Sequence, residues 1–159
     1  MKQMELSKWL KWMVVIAAAV VLVLSFWVVP SLGKDAVCVN PELHYMFFPC
    51  LIFIWITAIP FYMALWKSWH ICDRISKDQS FCEKNAVALK HISILAIIEC
   101  ILYLMGAFVL LLGNLLHPGI LLIILFIQFV GVSIAILAAT LSHLVKKASD
   151  MKSENDLTI

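Results

Sequence analysis

Long apolar runs separated by short polar stretches dominate the hydrophobic pattern of this chain. Four such runs occupy residues 12–29, 45–66, 92–113 and 120–145. Each is close to the roughly 20 residues that a helix needs to span the hydrocarbon core of a bilayer. The pattern therefore predicts an all-α polytopic membrane protein, a single domain over residues 1–159 whose four transmembrane helices form a bundle.

The polar stretches predict how these helices are connected. Residues 67–90 form the longest loop, in which Ser80 followed by Glu83 is the pattern of a capping box at the start of a helix. The short connection 114–119 contains Pro118-Gly119 and predicts an antiparallel hairpin between the third and fourth spans. The polar tail 146–159 is predicted to be flexible up to its last residues.

Basic residues are distributed very unevenly about the four runs. Of the twelve Lys and Arg residues, only Lys34 lies in a segment that would be outside. The others flank the opposite ends of the runs: Lys2, Lys8, Lys11, Lys67, Arg74, Lys77, Lys84, Lys90, Lys146, Lys147 and Lys152. The positive-inside rule then predicts a multi-pass membrane protein with both termini and the loop 67–90 in the cytoplasm.

Composition excludes an ordinary soluble domain. Hydrophobic residues make up 64% of the chain and the mean hydropathy is +1.00, whereas about half of a soluble domain is apolar. A net charge of +2 is too small to indicate that the whole chain binds nucleic acid directly. We also considered a cleaved signal peptide at the N-terminus, but the apolar run 13–29 is longer than the usual 7–15 residues of such a segment.

Glu99 is the main candidate for intramembrane chemistry. At 1.5 Å per residue from Lys90 it lies about 14 Å deep, where an ionised carboxylate is costly. Tyr103 continues its helix face, and Gln128 and Ser133 on the fourth span lie at comparable depth. A hydrogen bond from Glu99 to Gln128 or Ser133 is one interpretation, and a proton or cation site is the other.

Two further features concern helix packing. Pro60 lies inside the second span and is expected to free the carbonyl near Ile56, which Thr57 could satisfy. Gly131, Ala135 and Ala139 form a stripe of small residues on the fourth span. Such a stripe permits close helix approach, either within the chain or in a homodimer.

The residue types that carry catalysis or bind metals do not form a recognisable motif. His70, Cys72, Cys82 and His91 match no short-interval zinc signature. The chain has no glycine-rich phosphate loop, no H-E-x-x-H and no C-x-x-C. Of the five cysteines, Cys38 and Cys50 alone share the predicted outer side. We therefore predict a non-enzymatic protein with no metal and no cofactor.

Two segments resemble a known family. Residues 75–85 read Ile-Ser-Lys-Asp-Gln-Ser-Phe-Cys-Glu-Lys-Asn, and the chain closes on Asp156, Leu157, Thr158 and Ile159. With four spans, these segments resemble the bacterial membrane family called domain of unknown function 2975. In that family a Phe and a small hydroxyl residue precede the third span, and the chain ends in Asp-Leu-Thr-Val/Ile. Phe81 matches, while Cys82 replaces the hydroxyl residue.

The resemblance implies no established enzymatic activity and a cytoplasmic partner, a small helix-turn-helix regulator. Phe81 and the terminal residues 156–159 are the expected partner-binding positions, and the carboxylate at the chain terminus could be captured by the partner. Our leading hypothesis is a four-helix protein of the bacterial cytoplasmic (inner) membrane that senses a membrane condition through Glu99 and Gln128 and holds or releases that regulator. The alternatives are a small proton-coupled exporter or immunity-type protein that uses Glu99, and a structural subunit of a membrane complex.

Overall fold

The computed structural model describes residues 2–157, and the side chains of residues 4–154. Nearly all of this chain is helical, and the described part contains no strand. Helix α1 (Lys2–Val23) continues through a π-helical turn, Leu24–Val28, into α2 (Val29–Val39). The remaining helices are α3 (His44–Ser76), α4 (Glu83–Leu112) and α5 (Pro118–Leu157).

Four helical stretches are long and apolar enough to cross a membrane. They are Met4–Val39, Pro41–Ser76, Glu83–Leu112 and Pro118–Glu154. The predicted all-α fold with four such helices is therefore confirmed. At 1.5 Å per residue each stretch is roughly 45–55 Å long, which exceeds the ~30 Å of hydrocarbon. Each helix therefore continues beyond the lipid.

The polar stretches are more helical than the sequence indicated. Of the predicted loop 67–90, only residues 77–82 form a turn, because α3 runs to Ser76 and α4 begins at Glu83. The prediction of a flexible tail is also wrong, because α5 continues as a helix to Leu157. A helix already formed in the span extends by one hydrogen bond per added residue, and neither Pro nor Gly interrupts residues 146–157. Residue 158 onward lies outside the described structure.

The start of α4 differs from the predicted capping box. Its N-cap is Cys82 rather than Ser80, and no side chain caps it. The preceding turn is instead fixed by the side chain of Asn85, which donates to the carbonyl oxygens of Gln79 and Ser80, both at 3.0 Å. These bonds hold the backbone of residue 80 in the turn, so that the helix begins three residues later.

The helices pack in chain order as an open row. The first long helix (α1 and α2) contacts α3, α3 contacts α4, and α4 contacts α5. Within the described residues, the first helix contacts neither α4 nor α5, and α3 does not contact α5. The predicted bundle is thus open rather than closed. Lipid tails are as apolar as leucine, so no hydrophobic force in the bilayer drives such a row to close.

Small residues fill the contacts between these helices. The buried apolar residues of the described chain are Cys72, Ala86, Ala88, Cys100, Ile124, Ala135 and Ala138. The chain exposes 11523 Å², against about 8,000 Å² for a compact soluble protein of this mass. Both faces of the row are rich in large apolar side chains, which is the surface that a lipid environment requires.

Neighbouring helices are antiparallel, so the row has two distinct ends. The start of α1, the turn 77–82 and the end of α5 lie together at one end, joined by contacts such as Ser7 to Cys72 and Ser142 to Ala86. We call this the basic end, because every described Lys and Arg side chain except Lys34 lies toward it. The opposite end carries the turns near Asn40 and Asn114.

Candidate functional site

Glu99 lies on the face of α4 that packs against α3. Further along this face, the rings of Tyr103 and Phe53 meet edge to face, with centroids 5.8 Å apart. Gly106 is so close to Phe53 that an added Cβ would lie 2.6 Å from its Cζ. Because the two helices are antiparallel, seven residues back from Gly106 on α4 corresponds to seven residues forward from Phe53 on α3. Glu99 is therefore level with the buried Pro60.

An unpaired carboxyl oxygen is the distinguishing feature of this position. The Oε2 atom of Glu99 is buried and has no hydrogen-bond partner among the described residues. Pro60 has no N–H to donate to the carbonyl of Ile56, so α3 offers a backbone acceptor without its helical donor nearby. An ionised carboxylate in lipid is costly without a partner. Glu99 is therefore a candidate intramembrane polar site whose Oε2 has no partner among the described residues.

Thr57 does not satisfy the carbonyl that Pro60 frees. Its hydroxyl donates to the carbonyl oxygen of Ile54 at 3.0 Å, rather than to that of Ile56 as predicted. The Thr57 side chain is almost fully buried and also interacts with the Tyr103 hydroxyl. The hydroxyl groups at this level therefore hydrogen-bond each other and their own helix rather than Oε2 of Glu99.

The predicted partners of Glu99 are occupied elsewhere. Gln128 donates from Nε2 to the carbonyl oxygen of Cys100 at 2.7 Å. Ser133 donates to the carbonyl oxygen of Phe129 in its own helix, also at 2.7 Å. The predicted hydrogen bond from Glu99 to Gln128 or Ser133 is absent from the described contacts. Cys100 faces α5, and successive helical residues point about 100° apart, so Glu99 is directed toward α3 instead.

The small-residue stripe of the fourth span is used within the chain. Gly131 packs against Cys100 so closely that a Cβ there would lie 2.5 Å from its Sγ. Ala135 is buried and accepts a hydrogen bond from Ser93 at 2.8 Å. Further along the helix Ala138 is also buried, whereas the predicted Ala139 is exposed. The stripe therefore explains the close approach of α4 and α5.

A second candidate site lies at the basic end, where residues 77–82 join α3 to α4. Asn85 is 1% exposed, and its Oδ1 accepts a hydrogen bond from Arg74 Nη1 at 3.1 Å. The same nitrogen donates to the carbonyl oxygen of Lys84 at 3.3 Å. Asp78 adopts a left-handed conformation, with φ of 60°, which Asp tolerates better than most residues. Together with the two bonds from Asn85 to the turn, these contacts fix the turn on both helices.

Phe81 projects from this fixed turn. Its side chain is 61% exposed although the residues on either side of the turn are held by buried contacts. A large aromatic ring that is exposed on a rigid support is typical of protein-binding surfaces. We call the segment 77–82, with Phe81 at its surface, the Phe81 turn.

The first helix is attached to α3 beside the same turn. Ser7, 1% exposed, donates to the carbonyl oxygen of Cys72 at 2.7 Å. Asp73 binds Lys11 at 2.9 Å and Lys77 at 3.0 Å. Asp73 lies seven residues beyond the predicted second span, and the two lysines lower the pKa of its carboxyl to about 2. The ion pairs therefore persist at neutral pH.

Neither Arg74 nor Asn85 was predicted as a functional residue from the sequence. Asn is a poor helix former that often hydrogen-bonds nearby backbone at helix starts. The sequence signal for Asn85 was therefore an Asn at the third position of a helix, where it can bond to the backbone of the preceding turn. Its partner Arg74 gave no such signal, because an arginine at the end of a transmembrane helix is already expected from orientation.

The remaining predicted positions are not brought together. The structure places no group of three or more His, Cys, Asp or Glu residues at metal-binding geometry within its described part. Cys38 and Cys50 are both free thiols. The predicted partner-binding residues at the C-terminus lie outside the described residues, namely the side chains of Asp156 and Leu157 and the whole of Thr158 and Ile159. Their role stays a prediction.

Comparison with known proteins agrees with this architecture. The family described as Protein of unknown function (DUF2975) matches residues 31–159. The Uncharacterized membrane protein YoaS of Bacillus subtilis (strain 168) is 36% identical over 152 residues, which cover 94% of this chain and 95% of that protein. Neither description names an enzymatic activity. No solved structure matches the chain.

Proposed function

We propose that this chain, which belongs to the DUF2975 family of membrane proteins, holds a small helix-turn-helix regulator at the cytoplasmic membrane surface. The observation that carries the proposal is the Phe81 turn. It offers an exposed aromatic ring on a support fixed by Asn85 and Arg74. The proposal does not require catalysis by the chain.

The orientation that this function needs follows from charge. All described basic side chains except Lys34 lie toward the basic end, and membrane proteins retain such residues in the cytoplasm. The Phe81 turn and the end of α5 would then face the same compartment. Helix α5 continues to Leu157 past the contact of Ser142 with Ala86 near the start of α4, so the end of the described chain lies on the same side of the molecule as the Phe81 turn.

The test is a crosslinked pull-down from native membranes with mass spectrometric identification. We compare the full chain with Phe81→Ala and with a chain truncated after Ser153. Truncating an exposed aromatic anchor costs about 2 kcal/mol or more, so we expect recovery of the regulator to fall roughly 30-fold with Phe81→Ala. Loss on truncation would add the terminal residues to the binding surface.

Phe48→Ala is the matched control, because Phe48 is also 61% exposed but lies toward the opposite end of the row. Recovery should be unchanged in this variant. If no helix-turn-helix protein is recovered with the full chain, or if Phe81→Ala and Phe48→Ala behave alike, the proposal is wrong. Recovery of membrane subunits alone would instead favour a structural role in a larger complex.

A second candidate function rests on the buried, unpaired Oε2 of Glu99. A proton-binding carboxyl near the middle of a span could couple proton movement to transport, or could sense a membrane condition. In the first case the purified protein should conduct protons in liposomes with an internal pH-sensitive dye, and Glu99→Gln should abolish the flux. In the second case Glu99→Gln should alter release of the regulator without altering insertion.

The effect of a Glu99 substitution on protein stability distinguishes proton transport or sensing from a purely structural role of Glu99. Replacing an unpaired buried polar group by an apolar group of similar size removes a desolvation cost, so Glu99→Met should stabilise the fold by about 1–3 kcal/mol. The measurement is thermal unfolding in detergent, followed by tryptophan fluorescence. A large destabilisation by Glu99→Met, with flux and regulator release unchanged, would make Glu99 a structural hydrogen-bonding residue.

A further inference from the structure

A cavity of about 340 Å³ opens between the basic end of α3 and the start of α4, and we call it the polar cavity after the charged side chains among its lining residues. Its charged and ionisable lining comprises Lys67, His70 and Arg74 from α3, and Glu83, Lys84 and His91 from α4. The lining thus carries three permanent positive charges, on Lys67, Arg74 and Lys84, and one carboxylate, on Glu83. A concentration of positive charge this close to the membrane is complementary to an anionic group.

Several hydrogen-bond donors remain available in this cavity. Only Nη1 of Arg74 is engaged, by Asn85 and by the carbonyl of Lys84, and a guanidinium carries five N–H donors. His70 donates from Nδ1 to the carbonyl oxygen of Trp66 at 3.0 Å, so its neutral ring offers no further N–H donor. Lys67 and Lys84 each add an ammonium group. Phosphate oxygens are acceptors that suit all of these donors.

An apolar trough of about 670 Å³ continues from the polar cavity along α3. It is lined by Phe26 of the first helix and by Trp55, Ile59, Tyr62 and Met63 of α3. Trp66 and Lys67 line both recesses, so the polar cavity and the trough adjoin. One face of α3 therefore presents a charged recess at the basic end and an apolar trough toward the middle of the row.

The length of the trough fits one leaflet of a membrane. From Trp66 to Trp55 the helix rises about 16 Å, close to half of the ~30 Å hydrocarbon thickness. Trp66 and Trp69 mark the level of the headgroups, where tryptophan is enriched. A phospholipid whose acyl chain lies in the trough would place its phosphate at the level of the cavity.

We propose that the polar cavity and the apolar trough together form a binding site for an anionic phospholipid, with its phosphate in the cavity and one acyl chain in the trough. A free phosphate would fill only the cavity and leave the trough uncovered. A second copy of this chain would bring two sets of like charges together. The site shares Arg74 with the support of the Phe81 turn, but lipid binding there does not require a regulator.

The test measures retention of added lipid by the purified full-length protein in detergent, using native mass spectrometry. Dioleoyl phosphatidylglycerol is compared with dioleoyl phosphatidylcholine, and inorganic phosphate is added separately. We expect selective retention of phosphatidylglycerol. Removing both charges in Lys67→Gln/Lys84→Gln should weaken it roughly 10- to 30-fold, since each lysine beside anionic lipid contributes about fivefold.

Three further variants make the test specific. Lys146→Gln/Lys147→Gln removes the same charge from exposed residues of α5 outside the site and should leave retention unchanged. Glu83→Gln removes the only carboxylate of the cavity and should strengthen retention. Ala58→Trp fills the trough and should weaken retention of both lipids. Arg74 is left intact throughout, because it also fixes the Phe81 turn.

Equal retention of the two lipids, or equal weakening by the two lysine pairs, would overturn the proposal. Displacement of phosphatidylglycerol by millimolar inorganic phosphate would show a free-anion site instead. If Lys67→Gln/Lys84→Gln changes the oligomeric state and leaves lipid retention unchanged, the trough is an interface between copies of the chain, and the lipid site is wrong.

Discussion

Asn85 shows how one side chain can define a turn between two membrane helices. Its amide nitrogen donates to two carbonyl oxygens of the turn, and its amide oxygen accepts from Arg74. The polar atoms of this side chain, which is 1% exposed, are therefore all hydrogen-bonded within the protein. Loss of this group would leave two carbonyl oxygens of the turn and Arg74 without this hydrogen-bond partner. The effect should be local, because the helices on both sides are held by other contacts.

We therefore expect Asn85→Ala to destabilise the protein by about 2–3 kcal/mol, since three hydrogen bonds contribute about 1 kcal/mol each. Thermal unfolding in detergent measures this loss. Trypsin cleavage after the exposed Lys77 should also accelerate as the turn loosens. Gln79→Ala is the control, because only the backbone of Gln79 is used. Equal stability of the two variants would contradict the proposed role of Asn85.

The long helices associate through small residues and through serines that cross to a neighbouring backbone. Ser7, Ser93 and Ser142 each donate to a carbonyl oxygen of the adjacent helix at 2.7–2.8 Å. Such bonds are possible only where the helices are close, and glycine and alanine provide that closeness. Packing of this kind is sensitive to a single added methyl group.

Gly131→Ala should separate α4 from α5, because the new Cβ would lie 2.5 Å from Cys100 Sγ. Overpacking of this kind typically costs about 1–3 kcal/mol. Cys100→Ala removes the sulfur, so the double variant Gly131→Ala/Cys100→Ala should recover most of the loss. Unfolding of the three variants in detergent provides the measurement. Additive losses in the double variant would show that the Gly131–Cys100 contact is not responsible.

At the scale of the whole molecule, the row of antiparallel helices separates a basic end from an opposite end. Native cysteines mark both: Cys38 is exposed at the opposite end, and Cys82 is partly exposed in the Phe81 turn. Their separation allows the proposed orientation to be measured without introducing foreign residues into the helices.

Single-cysteine variants that retain Cys38 or Cys82 should react differently with a membrane-impermeant maleimide in intact cells. If the basic end is cytoplasmic, Cys38 should react at once and Cys82 only after permeabilisation. The reversed pattern would overturn the orientation and the access of a cytoplasmic partner to Phe81. Labelling of both cysteines after detergent treatment is the control for reactivity.

The sequence alone was sufficient for the large features of this architecture. Runs of about 20 apolar residues predict membrane helices whatever their neighbours are, since each helix satisfies its own backbone in lipid. The bias of Lys and Arg likewise predicted a basic end, which the structure shows in the positions of the described side chains. Glu99 was identified from depth and charge alone; its Oε2 has no hydrogen-bond partner among the described residues, and its role stays a prediction.

Tertiary structure decided which residues meet. Rotation of a helix about its axis is set by the neighbour against which it packs, and a shift of one residue turns a side chain by about 100°. For this reason Gln128 binds the backbone at Cys100 while Glu99 faces α3. The open row and the adjoining polar and apolar recesses along α3 depend on the same packing. The sequence thus determined the helices and their charge asymmetry, and packing between helices determined their contacts.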